Sequence, residues 1–170
     1  VVAGKAATEN NGTWTIIDAV STAEALATAL AQGGVVTLGA DITVEEPVLA
    51  EGVTATINLN GKTLTAKNCS AITATKGAKV TVKGNGNVVA YESVVRAIGG
   101  EVIVENGTFT QTGTALDSPA TYRYAIDCRE GGEITINGGT FKSNNGMLNV
   151  GSQITINGGK FENIVEKSMT

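Results

Sequence analysis

Hydrophobic residues in this chain alternate with polar ones over short stretches, and each stretch stops at Asn or Gly. Ile134-Thr135-Ile136-Asn137-Gly138-Gly139 is the clearest case, and Ile154 to Gly159 repeats it letter for letter. Triplets of the same kind open at Val36, Ile57, Val80, Val102, Ile134 and Ile154, so their starts lie 21, 23, 22, 32 and 20 residues apart. Alternation with a period of two is the grammar of a half-buried strand. Recurrence in the low twenties is the grammar of a solenoid. After each of the last five triplets comes a second short stretch with one large apolar residue: Leu64, Val88, Phe109, Phe141 and Phe161 in turn. A third stretch follows, read as AITA, VVRAI, YAIDC and MLNV, and each runs into a Gly. Three short strands per turn with Asn and Gly corners predict an all-β parallel β-helix of about 5–6 coils. An antiparallel β-sandwich of Asn-Gly hairpins is the competing reading, but it leaves the third stretch without a role.

Stacking like over like assigns the faces. Ile57 and Leu59, Val80 and Val82, Val102 and Val104, Ile134 and Ile136, and Ile154 and Ile156 point inward. Asn58, Thr81, Ile103, Thr135 and Thr155 point outward, because successive strand side chains alternate. Phe109, Phe141 and Phe161 should stack inside, and Asn137 over Asn157 should form a side-chain ladder at a corner. The outward column does not form a continuous Thr array of the ice-binding kind, since Asn58 and Ile103 interrupt it.

The N-terminal part reads differently. Residues 1–20 are an extended lead-in or anchor, with TWTIIDAV, which holds the lone Trp14, as a strand or extended segment. Residues 21–33 are a short helix: Ser21 with Glu24 makes a capping box, Leu26 and Leu30 share an edge, and Gly33 stops it. Such a helix would close one end of the coils, whose strand edges are otherwise bare. Residues 34–170 are the β-helix. ENIVEKSMT after Phe161 reads as an incomplete coil without a cap, to be continued or covered by a partner. The opening, without Met or the order of a signal peptide, suggests a processed or excised chain.

Composition narrows the chemistry. With 42% apolar residues in 170, the chain can build a continuous core. A net charge of −4 offers no basic footprint, so no nucleic-acid partner is expected. No apolar run reaches the ~20 residues of a membrane span. The chain has no His, which removes Ser-His-Asp and Cys-His nucleophiles and His-ligated metals. Cys69 and Cys128 fall coils apart, too far for a disulfide, and two free thiols are expected. No cofactor or metal is expected.

The candidate contacts lie where the pattern breaks. The spacing of 32 hides an insertion of about ten residues within TQTGTALDSPATYRY, and solenoid insertions project as loops that often bind. Tyr122, Arg123 and Tyr124 there supply aromatic surface and a forked cation for a sugar or a partner. Lys79, Glu101, Glu133 and Gln153 form a column before the first strand. Glu101 and Glu133, neighbours on successive coils, are the one carboxylate pair with the ~5–5.5 Å spacing of a retaining glycosidase in reach. A solvated rim, eased by Lys79 and Arg129, is the favoured reading, so no catalytic residue is assigned. The sequons at Asn11, Asn68 and Asn106 and the GNGN at Gly84 are read as turns and a corner.

DAVSTAEALATALAQGGVVTLGADIT, then INLNGKTLT and the repeated ITINGG, resemble pectin-lyase-like right-handed parallel β-helix proteins over about Thr15 to Asn163. The likeness is greatest to the non-catalytic coils of bacterial surface proteins and of phage fibres, spikes and head decorations. It implies a non-enzymatic structural or adhesion module located in a virion. Its partners would be further copies of itself (a trimer being one form), capsid or tail proteins, or surface polysaccharide. A bacterial extracellular adhesin or spacer is the first alternative. A polysaccharide lyase or glycoside hydrolase acting through Glu101 and Glu133 is the second.

Overall fold

The computed structural model describes residues 5–10, 13–114 and 123–164. Two strands, β1 (Lys5–Asn10) and β2 (Thr13–Asp18), pair antiparallel into a hairpin ahead of everything else. The helix α1 (Ala23–Gln32) follows. The first coil comprises β3 (Gly34–Thr37), β4 (Ile42–Val44) and β5 (Val48–Glu51). The second comprises β6 (Thr54–Asn58), β7 (Thr63–Ala66) and β8 (Ile72–Thr75). The third has β9 (Lys79–Lys83), β10 (Asn87–Ala90) and β11 (Val95–Ile98). The fourth has β12 (Glu101–Val104), β13 (Thr108–Gln111) and β14 (Tyr124–Arg129). The fifth has β15 (Glu133–Ile136), β16 (Thr140–Ser143) and β17 (Gly146–Val150). Then come β18 (Gln153–Ile156) and β19 (Lys160–Asn163).

Every strand after α1 pairs parallel with the equivalent strand one coil away, in three sheets: β18-β15-β12-β9-β6-β3, β19-β16-β13-β10-β7-β4 and β17-β14-β11-β8-β5. The chain is thus a parallel β-solenoid of about five turns. The triplets sit in register, with Val80 beside Val102, Val102 beside Ile134 and Ile134 beside Ile154. Their inward members from Ile57 to Ile136 are buried. Each such side chain contributes roughly 1.5–3 kcal/mol of transfer free energy. Phe109 and Phe141 stack with centroids 4.7 Å apart, and Phe141 and Phe161 with 5.3 Å. Asn157 donates to Asn137 Oδ1 at 2.8 Å, which completes the corner ladder. Both cysteines are free.

At the last coil the pattern holds in register but not in burial. Ile156 lies beside Ile136 yet is 46% exposed, since no described strand lies over β18. At the other end α1 does the covering: Leu26 and Leu30 are fully buried and belong to the same core as the first coil. Its N-cap differs from the expected one. Thr22, not Ser21, is the cap, and its hydroxyl accepts from Ala25 N at 3.2 Å. The helix thus begins one residue later than the Ser21 box implies. Thr22→Ala is expected to cost about 1 kcal/mol in urea unfolding, whereas Ser21→Ala should be close to neutral. Within the lead-in, β1 pairs antiparallel with β2. Asn11-Gly12, between the two strands, is the sequence signal for that hairpin.

Candidate functional site

The third sheet carries the fully buried carboxylate of Asp127. Register alone places Leu49, Thr73, Arg96, Asp127 and Asn149 in one row across β5, β8, β11, β14 and β17. Val95, Ala97, Ile126 and Cys128 on either side are buried in the core, so Arg96 and Asp127 are on the outer face. Asp127 is nonetheless fully buried, because its neighbours lie across it. Its Oδ2 accepts from Arg96 Nε at 2.9 Å and from Arg129 Nη2. Its Oδ1 accepts from Arg129 Nε at 2.7 Å and from Asn149 Nδ2 at 2.7 Å. The row continues sideways: Arg96 Nη2 reaches Glu92 Oε2 at 3.4 Å, and Ser70 Oγ donates to that same oxygen at 3.0 Å.

Burial alone raises the Asp127 carboxyl, but hydrogen bonds from Arg129 and Asn149 and the charges of Arg96 and Arg129 outweigh it. The group is held below the ordinary carboxylate range and stays anionic. Each of its oxygens already accepts two donors, so it has no proton to give and no free lone pair for attack. The cluster works as an electrostatic clamp between coils. What it presents to solvent is the partly exposed edges of Arg96 and Arg129, whose side chains are 18% and 36% exposed, with Glu92 alongside.

The rim column is built as the register implies. Glu101 pairs with Lys79 on one side and with Glu133 on the other. Lys79 Nζ binds Glu101 Oε1 at 2.9 Å. Arg129, expected to ease this rim, turns to Asp127 instead, because two bonds to a buried carboxylate outweigh one to an exposed one. Beside the pair is an open depression of about 190 Å³, floored by Gly77, Gly99, Gly100 and Gly131. A Cβ at Gly100 would stand 2.7 Å from the Ala74 backbone, so the coils approach too closely there for any side chain. The depression therefore offers two carboxylates, one already paired, and a smooth glycine floor.

Of the insertion residues, Tyr122 lies outside the described residues. Arg123 is 4% exposed, with its guanidinium carbon 4.5 Å from the Tyr91 ring centroid and its Nη1 donating to Thr114 O. Its carbonyl accepts from Gly146 N at 3.2 Å and Asn145 Nδ2 at 3.1 Å. The forked cation read as a ligand contact thus anchors the base of the insertion. Tyr124 is half-buried, and its ring lies so close over Gly146 that a Cβ there would come within 2.5 Å of it. Gln111 supports the same corner from inside: its amide donates to Tyr91 O and Gly113 O and accepts from Ser143 Oγ and Asn144 N.

Glu92, Arg96, Asn149 and Gln111 escaped the sequence reading. The signal was present, since aligning VVRAI on AIDCR sets Arg96 beside Asp127. The two thiols take no part: burial raises Cys69, and burial with the charges of Asp127 and Glu133 raises Cys128. Among the described residues no group of three or more His, Cys, Asp or Glu could hold a metal ion, and no helix is long and apolar enough to cross a membrane. A scan against protein-family models finds no match, and searches of curated proteins and of solved structures find none either.

Proposed function

We propose that the chain is a non-enzymatic structural or adhesion module, a β-solenoid segment of a phage virion decoration, fibre or spike protein. Its coils would project from the particle and meet surface polysaccharide along the outer face of the third sheet. The observation that carries the non-catalytic reading is how the carboxylates are used. Asp127 accepts four hydrogen bonds, and Glu101 is tied to Lys79. A hydrolase or lyase needs a carboxyl able to take or give a proton beside its substrate. The virion assignment is supported by the resemblance of the repeated coils to pectin-lyase-like solenoids without catalytic clusters.

Two measurements test this. Incubated with a broad polysaccharide panel, the chain is expected to release no reducing ends and no unsaturated products. Turnover that Glu101→Gln or Glu133→Gln abolishes would make it an enzyme. Antibodies raised against the coils are expected to label assembled particles from the source culture. Labelling of the cell envelope instead would favour the bacterial adhesin or spacer.

A further inference from the structure

The corners of the solenoid are written in Asn and Gly, and an Asn-Gly pair can react with itself. The backbone nitrogen of the Gly can attack Cγ of the preceding Asn, since glycine has no side chain to block the approach. Attack requires the two atoms to come within about 3–3.5 Å, so the Asn side chain and the peptide after it must both turn. A corner where either is held by hydrogen bonds resists the reaction.

Among the described residues Asn-Gly pairs occur at 60, 85, 106, 137, 145 and 157, and five of them are held. Asn60 Nδ2 donates to Leu38 O at 3.0 Å, and Gly61 N donates to Asn85 O. That second bond also fixes the Asn85–Gly86 peptide through its carbonyl. Asn137 is held at both side-chain atoms: Nδ2 donates to Glu105 Oε1 at 3.1 Å, and Oδ1 accepts from Asn157. Asn157 is held by that bond and by Gly158 N, which donates to Ile136 O at 3.3 Å. Asn145 Nδ2 and Gly146 N both donate to Arg123 O. Asn106 differs. It is exposed, and its side chain makes no hydrogen bond with any described residue. Neither its carbonyl nor Gly107 N–H is bonded to backbone.

We infer that Asn106 is a self-modification site, where the chain deamidates through a cyclic imide. Gly107 N bonds to Asn106 Cγ, the Cγ–Nδ2 bond breaks, and Nδ2 leaves as ammonia with the proton that Gly107 N gives up. Water then opens the ring. Cleavage at Cγ gives Asp, and cleavage at the main-chain carbonyl gives isoaspartate, whose backbone is one carbon longer. The new carboxylate stands beside Glu105, and the lengthened corner lies against the aromatic stack: a Cβ at Gly107 would come within 3.2 Å of the Phe109 ring. None of this depends on what the coils bind.

The full chain, incubated at mildly alkaline pH and followed by peptide mapping with isoaspartate detection, tests the site. Asn106 should convert about tenfold faster than any of the other five, because each of them must first break a hydrogen bond. In urea, where those bonds are gone, the six rates should converge. Asn157→Ser removes one of the two bonds that hold Asn137, so it should speed Asn137 about threefold while leaving Asn106 unchanged. Conversion at another of the six before Asn106, equal rates in the folded chain, a ranking that persists in urea, or an Asn137 rate indifferent to Asn157→Ser would each overturn the inference.

Discussion

Phe141→Ala is expected to lower the unfolding free energy by about 3–5 kcal/mol, the range for emptying an aromatic site in a core. Phe141 is fully buried and touches rings on both sides, Phe109 at 4.7 Å and Phe161 at 5.3 Å. Truncation therefore removes the hydrophobic transfer term and opens a gap facing two neighbours. In a solenoid each coil is held by the next, so the loss weakens two coil interfaces at once. Phe161→Ala supplies the comparison. Phe161 is half-buried and stacks against Phe141 alone among the described rings, so its loss should cost clearly less. Urea unfolding of both variants would decide this, and equal costs would contradict the stacked interior.

The second large effect is at Asp127. Asp127→Ala is expected to cost about 3 kcal/mol, because it leaves the Arg96 and Arg129 guanidiniums without the carboxylate they flank. Arg129 can turn to water more easily than Arg96, which keeps the cost at the lower end of the range for a broken buried pair. The same clamp gives an acid limb to stability. The folded carboxyl titrates below its unfolded value, so its contribution is fully present above the unfolded value of ~3.9. It is lost as pH falls through the folded pKa. Asp127→Asn should flatten that limb of the stability curve while leaving the neutral-pH fold intact. An unchanged acid limb would show that the clamp is electrostatically idle.

The legible and illegible parts of the fold divide along one line. The inward columns, the Phe stack and the Asn137–Asn157 ladder were readable because a strand alternates with period two and each coil repeats the last. The partners of charged outward residues were not. Arg96 and Asp127 are 31 residues apart, across the one irregular spacing, so their meeting depends on how the insertion is absorbed. Arg123 looked like a surface cation because nothing local says that Tyr91, on the coil below, offers its ring. The helix cap is Thr22 where the local pattern pointed to Ser21, since adjacent hydroxyl residues can both serve as N-caps.

The sequence by itself determined a stack of three-stranded coils closed at one end by a helix. Backbone pairing and burial act position by position, and the same residue types recur at the same positions. Only the tertiary structure decided which charges neutralise which, that Asp127 is shielded while Glu101 stays on the rim, and that among the described strands β1 pairs with β2 alone. Those outcomes depend on distances between side chains on different coils and on whether another strand reaches an edge. Neither quantity is carried by any single stretch of the chain.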